Sequence, residues 1–214
     1  MSRPLLLDLF CGAGGAAQGY SLAGFDVVGV DLLRLSSYPF PRLVGDAVDP
    51  PVDLTRVTAI HASPPCQAYS TASPRGKVYP DLIPLVRGWL RSTGLPYVIE
   101  NVPPAPLEDP VTLCGSSFGL LVRRHRKFET NWPLIGKPCD HLSQGKPWGV
   151  YGHGGGTSSK RPNGKDRGRK AAPSQFAALM EMPWATPQEI VQAIPPAYTK
   201  WIGDQLMEYV LVSD

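Results

Sequence analysis

Apolar runs alternate with glycine and proline through the first half of the chain. Residues 5–9 (L-L-L-D-L) lead directly into C-G-A-G-G, which predicts a buried strand entering a glycine turn. Residues 16–23 read as a helix closed by Gly24, and residues 26–30 as a second buried strand ending at Asp31. A third strand is predicted over 59–62, stopped by Ser63-Pro64-Pro65. Residues 81–93 carry a helical period, with Pro84 in a first turn or at a kink. Residues 96–100 predict a further strand ending at Asn101. Strands that alternate with helices, each apolar enough to be covered on both faces, indicate an α/β fold with an open, mostly parallel sheet.

The pattern changes after Arg126. Residues 127–173 show little periodicity, and 151–170, rich in Gly, Ser, Lys and Arg, read as a mobile basic loop. Periodicity returns at Ser174, an expected N-cap for a helix through Glu181. Thr186-Pro187-Gln188-Glu189 reads as a helix start with proline in its first position. Pro195-Pro196 break the chain before a final amphipathic helix over 197–210. The expected organisation is one domain built from 1–126 and 174–214, with 127–173 as a small basic insertion.

Composition narrows the class. With 214 residues and 43% hydrophobic content, the chain can bury a core without disulfide or metal staples. No apolar run approaches a membrane span, and the opening M-S-R-P-L-L-L-D does not read as a signal peptide. Four cysteines at wide, irregular spacing suggest a reducing cytosol rather than a disulfide framework. The net charge of +3 conceals an asymmetry. Residues 123–170 hold 12 Lys+Arg against 3 Asp+Glu, a net +9, leaving −6 elsewhere. Such a region is built to meet an anion, nucleic acid above all, unless it is a solvated basic loop.

Three places could carry chemistry. The turn Phe10-Cys11-Gly12-Ala13-Gly14-Gly15 lies between a strand and a helix, where a ligand can approach the backbone closely. A tight structural turn would give the same pattern. Asp31, at the end of the second strand, is placed to accept hydrogen bonds from ribose hydroxyls, or is an exposed strand-end carboxylate. Asp46, beside Ala47, suits an exocyclic amine or a turn. Cys66, after Pro64-Pro65, sits on a stiff loop that suits a nucleophile, although a lone cysteine is more often a buried structural one. Glu100, followed by Asn101, could be a cleft carboxyl with a raised pKa, or an ordinary surface glutamate.

Taken together, D-L-F-C-G-A-G-G, P-P-C-Q and E-N-V resemble, in order and spacing, the first, fourth and sixth motifs of the DNA cytosine-5 methyltransferases. Arg124-His125-Arg126 resembles the eighth motif, and residues 191–203 the ninth and tenth. The short format is similar to bacteriophage and prophage members, for which self-protection, anti-restriction and solitary regulation are all compatible roles. The resemblance implies the Rossmann-like sheet of the class I S-adenosylmethionine-dependent methyltransferases, with the irregular insertion as the target-recognition region. It implies a cytoplasmic enzyme of a bacterial or phage-infected cell, acting on double-stranded DNA with S-adenosylmethionine as cofactor. A monomer is compatible with it, and so is a partner protein that supplies specificity.

Residue by residue, the resemblance makes Cys66 the nucleophile toward cytosine carbon 6 and Glu100 the group that holds or protonates ring nitrogen 3. Asn101 would orient the loop, and Arg124 and Arg126 would bind the base carbonyl or a nearby phosphate. The cofactor would lie on the turn from Phe10 to Gly15, with Asp31, Leu32, Asp46, Ala47, Pro65 and Gln192 around it. Gln192 stands where the family usually has asparagine, one methylene shorter. Gln67 and Ser70 would face DNA, as would Lys160, Arg161, Lys165, Arg167, Arg169 and Lys170 of the basic loop, contacting phosphates.

No metal is expected. Cys139, His141 and His153, with Cys114 and His125 upstream, make a small zinc site conceivable, but the spacing C-x-H followed by a distant histidine is not a standard pattern and favours ordinary loop residues. Two other functions compete with DNA methylation. One is a related methyltransferase acting on cytosine in RNA or a free nucleotide, which the short recognition region keeps open. The other is a catalytically silent DNA-binding relative, which would have no use for Cys66. A dinucleotide oxidoreductase is disfavoured, because the turn lacks the G-x-G-x-x-G spacing.

Overall fold

The computed structural model describes residues 3–34, 37–70, 73, 76–150 and 168–213. The first half alternates as expected: β1 (Leu5–Leu9), α1 (Gly15–Leu22), β2 (Asp26–Asp31), β3 (Arg42–Val44), β4 (Ala59–Ala62), α2 (Ile83–Thr93) and β5 (Tyr97–Asn101). Then come β6 (Val111–Leu113) and β7 (Arg126–Thr130), and α3 (His141–Gln144). A small pair follows, β8 (Trp148–Gly149) and β9 (Arg169–Lys170). The chain ends in α4 (Phe176–Met180), α5 (Pro187–Ile190) and α6 (Pro196–Ser213).

Strands β1 to β7 form one sheet in the order β3-β2-β1-β4-β5-β7-β6. The first five are mutually parallel, whereas β7 runs antiparallel to both β5 and β6. β1, β4 and β5 are buried along almost their whole length because helices cover both faces. Leu6, Val27, Ala59 and Val98 face a core shared with α1, α4 and α6, while Leu7, Leu9, Ile60 and Ile99 face α2. The two helices α1 and α6, far apart in sequence, are pinned by Thr199, whose hydroxyl donates to the Ala16 carbonyl at 2.9 Å. The final helix thereby returns to cover the first.

Register decides where the site lies. Leu9 pairs with Val30 on one side and Ala62 on the other, and Ala62 pairs with Ile99. Phe10, Asp31, Ser63 and Glu100 therefore leave the sheet at one level. This is the carboxyl edge at β1 and β4, where strand order reverses and ligands bind in open α/β sheets.

The structure differs from the sequence reading in three places. β7 carries the chain into the central sheet past the expected boundary at 126, and Trp132 is buried behind it, so the irregular region opens later. The helix expected from Ser174 starts instead as a 3-10 turn at Pro173, and α4 ends at Glu181 in the left-handed region, φ 57°. Arg169 and Lys170, expected in a mobile loop, pair as β9 against β8. Lys160, Arg161, Lys165, Arg167 and His153 lie outside the described residues. Among the described residues, no helix is long and apolar enough to cross a membrane.

Candidate active site

The glycine turn after β1 is held open by specific bonds. Gly12 adopts φ 48°, and a side chain there would meet nothing within 4 Å, so the space above the turn is clear for a ligand. Phe10 also lies in the left-handed region, at φ 57°, a conformation that a non-glycine residue adopts at a cost. The turn is secured from outside. Asp31 accepts the Gly12 amide at 3.0 Å and the Leu33 amide at 2.9 Å, and the Trp184 indole donates to the Ala13 carbonyl at 2.8 Å. Gly15 permits close approach of residues 191–194, since any Cβ would strike the Ile194 carbonyl. Gln192 is exposed on that segment, and Leu32 is exposed next to Asp31. Asp46 caps a turn through the Val48 amide at 3.0 Å, and Ala47 is buried beneath it.

Below the turn, Asp8 is buried with one carboxylate oxygen lacking a hydrogen-bond partner among the described residues. The Tyr38 hydroxyl donates to its other oxygen at 3.4 Å. Burial pushes its pKa up to about 8, so Asp8 is mostly neutral at pH 7.

The loop after β4 is rigid for reasons visible in its sequence. Two prolines fix its backbone, and the Asn101 amide donates to the Pro64 carbonyl at 2.9 Å, tying the loop to the end of β5. The Cys66 carbonyl then accepts the Tyr69 and Ser70 amides at 3.0 and 2.9 Å. Cys66 is half-buried, while Pro65 and Gln67 are exposed.

Glu100 is buried, and its Oε1 lies 3.0 Å from Nε of Arg126, which β7 brings in antiparallel. Burial raises its pKa; Arg126, a hydrogen bond from Ser63 and the charge of Arg124 only partly offset this. The Cys66 thiol is also pushed up, by burial and then by the negative charge of Glu100, with Arg126 and Arg124 pulling it back. Cys66, Glu100 and Arg126 thus form one electrostatic unit.

Several parts of the site were not anticipated. A buried polar chain runs behind Glu100: the Tyr20 hydroxyl lies 3.0 Å from Nδ1 of His61, and Nε2 of His61 lies 2.9 Å from Oγ of Ser63. Desolvation lowers the His61 pKa to about 3, which keeps the ring neutral. Arg124, expected to bind the base carbonyl or a nearby phosphate, donates to the carbonyls of Ala193 and Val191 at 2.7 Å each and of Val150 at 3.3 Å. Its backbone lies in the left-handed region at φ 39°, and its side chain grips the segment that carries Gln192. Finally, Cys114, His125, Cys139 and His141, read as ordinary loop residues, converge on one point.

Neither a family profile nor a curated protein sequence matches the chain. Solved structures do resemble it. S. pombe Dnmt2 methyltransferase superposes with a TM-score of 0.60 at 11% identity, over 97% of this chain and 99% of that one. A triple mutant of Spodoptera frugiperda DNMT2 gives 0.56 at 13%, over 97% and 99%. The Entamoeba histolytica methyltransferase EhMeth gives 0.55 at 12%, over 100% and 99%. At these identities the likeness is one of fold: a mostly parallel seven-stranded α/β sheet shared with those methyltransferases.

Proposed function

We propose that this chain transfers a methyl group from S-adenosylmethionine to carbon 5 of cytosine in DNA, through a covalent adduct of Cys66 with a flipped-out base. The observation that carries the reading is the meeting of Cys66, Glu100 and Arg126 on adjoining strand ends beside an open glycine turn. The turn also fits the cofactor: its backbone is clear at Gly12, and Asp31 lies at the strand end where ribose hydroxyls are held. Gly12 to Gly15 and Asp31 would hold it, with Leu32 and Gln192 exposed alongside. When bound, S-adenosylmethionine supplies an electrophilic methyl group.

The protein's own groups prepare the base. Cytosine carbon 5 is too weak a nucleophile unaided. The Cys66 sulfur adds its electron pair to carbon 6 and gives its proton to solvent, while Glu100 donates to ring nitrogen 3 and takes up the displaced charge. Carbon 5 then carries enamine character. Once the methyl group is on carbon 5, the carbon-5 proton passes to water, its electron pair forms the carbon 5–carbon 6 double bond and expels the Cys66 thiolate, and ring nitrogen 3 returns its proton to Glu100. Arg126 holds the Glu100 carboxyl toward the base, and Asn101 fixes the angle from which sulfur attacks.

The raised thiol pKa has a place in this scheme. Part of the rise comes from the Glu100 charge. Sharing the Glu100 proton with ring nitrogen 3 requires a neutral carboxyl, which removes that repulsion. The thiol therefore becomes easiest to ionise when a base is in place.

The basic stretch at 123–170 favours a polyanionic substrate. The test is trapping with 5-fluorocytosine placed in duplex DNA, in RNA and in free nucleotide, with S-adenosylmethionine present. Fluorine cannot leave as a proton does, so the correct substrate stays bonded to the protein. An adduct on DNA that Cys66→Ser abolishes is the expected result. An adduct on RNA alone would move the substrate assignment, and none on any substrate from an active preparation would overturn the covalent mechanism.

A further inference from the structure

The four side chains at the edge of the irregular region come from three separate segments. Cys114 follows β6, His125 directly precedes β7, Cys139 lies in the loop beyond β7, and His141 opens α3. Their ligand atoms all lie within 4.8 Å of one another. Sγ of Cys114 is 3.3 Å from Nε2 of His141, and Sγ of Cys139 is 3.5 Å from Nε2 of His125. The two imidazole rings stand at 90°, centroids 5.2 Å apart.

These distances are those of a coordination shell. With zinc–sulfur bonds of about 2.3 Å and zinc–nitrogen bonds of about 2.0–2.1 Å, a tetrahedron places sulfur and nitrogen about 3.5 Å apart. The donor set is two thiols and two imidazoles with no carboxylate, which selects zinc over magnesium or calcium. Four protein ligands close the shell, the mark of a structural rather than a catalytic ion. The surroundings agree. Ser116 donates its hydroxyl to the Cys114 sulfur at 3.1 Å and accepts the Asp140 amide at 3.1 Å, as outer partners that orient metal ligands do. Thiol–imidazole hydrogen bonds alone would account for each pair, but not for two such pairs meeting at one point.

We propose that Cys114, His125, Cys139 and His141 bind one zinc ion that clamps the irregular region onto the sheet. The region needs such a clamp. Between Pro133 and Gly145 most residues are exposed, and α3 is a single turn with no buried residue, so apolar burial contributes little to its order. His125 also lies between Arg124, which grips the Val191 and Ala193 carbonyls, and Arg126, which pairs with Glu100. An ion on His125 fixes the backbone from which both arginines project.

The test uses the full chain, purified with thiols kept reduced and stripped of loosely held metal by gel filtration. Elemental analysis is expected to give one zinc per chain. Cobalt(II) in its place should show visible bands of tetrahedral geometry and near-ultraviolet sulfur-to-cobalt charge transfer. Cys139→Ser and His141→Ala should each lose the stoichiometric ion, while Cys66→Ser keeps it and loses only transfer, which separates this inference from the proposed reaction. A metal-free parent that is fully folded, a Cys114–Cys139 disulfide in place of the ion, or full zinc in Cys139→Ser would overturn the proposal. If the variants fail to fold, the cobalt spectrum of the parent decides alone.

Discussion

Asp31→Ala removes a carboxylate that anchors the glycine turn and, in the proposed reaction, receives the cofactor's ribose. Its oxygens accept the Gly12 and Leu33 amides, at 3.0 and 2.9 Å. A carboxylate offers about four acceptor positions, so roughly two remain for ligand hydroxyls. The bound amides hold Gly12 at φ 48° and keep the turn open before any ligand arrives. Charge-assisted bonds contribute about 1.5–3 kcal/mol each, and the partly exposed setting of Asp31 points to the low end or below. Removing both anchors should therefore cost about 2 kcal/mol, a fall in Tm of roughly 4–8 °C for a domain of this size. Cofactor affinity should fall separately by about 1–3 kcal/mol, or roughly 5- to 150-fold. Asp31→Asn keeps one carbonyl acceptor, so it should recover part of the Tm deficit while binding stays weaker than in the parent. Thermal melting without ligand and titration calorimetry with S-adenosylmethionine separate the two roles. A lowered Tm with unchanged affinity would reduce Asp31 to a turn anchor and refute its contact with the ribose.

Ser63→Ala removes a hydrogen bond that lowers the Glu100 pKa. If Glu100 acts as the acid, activity falls as pH rises past its pKa, so the variant's alkaline limb in kcat/KM should move to higher pH; movement to lower pH would contradict the assignment. Asp8→Asn tests the buried carboxyl. With a folded pKa raised from 3.8 to about 8, Asp8 contributes stability that is fully present below pH 3.8 and lost as pH rises through 8. The variant, neutral throughout, should gain on the parent across that window by up to about 5 kcal/mol, and parallel urea-denaturation stabilities at pH 4 and pH 9 would refute this. Neutralising Lys165, Arg167, Arg169 and Lys170 together should weaken DNA binding on all sequences alike. It should also flatten the salt dependence by about 0.9 for each phosphate that no longer meets a cation; an unchanged slope with abolished site preference would make these residues readers instead.

The strands that carry the site were legible because the sheet buries them on both faces. L-L-L-D-L, A-I-H-A and Y-V-I-E-N leave little choice of structure, and glycine or proline marks each end where chemistry sits. β7 was hidden by composition. R-K-F-E-T has one apolar residue, and its buried Glu129 is tolerated only because Arg87 pairs with it at 2.7 Å. β3 lies at the sheet edge with Leu43 and Val44 exposed, so its residues need not be apolar and alternate no more than a loop does. His61 could have been suspected from its place in an apolar strand with Ser63 two residues on, but its other partner, Tyr20, reaches it only through the packing of α1 on the sheet. The cysteine–histidine cluster was visible as residue types, but its non-standard spacing favoured the ordinary-loop reading and brought in His153, which lies outside the described residues. Its ligands span Cys114 to His141, and the antiparallel return of β7 is what places His125 among the others.

The sheet divides the labour between its two halves. The parallel strands β3-β2-β1-β4-β5 end in the glycine turn, Asp31, the Cys66 loop and Glu100, which together form the proposed cofactor and nucleophile side. The antiparallel strand β7 delivers Arg126 to Glu100 from the opposite direction. The positive excess begins at Arg123 and runs to Lys170, so the arginine paired with Glu100 lies near the start of the same continuous basic segment proposed to meet a polyanion. In such an arrangement a displacement of the basic region cannot stay local. Pulling β7 or the His125 turn draws Arg126 away from Glu100, leaves a buried carboxylate unpaired and raises its pKa and that of Cys66 together. Ordering of the basic segment and readiness of the thiol are then linked through one ion pair, and substrate contacts far from the base can be felt at the sulfur.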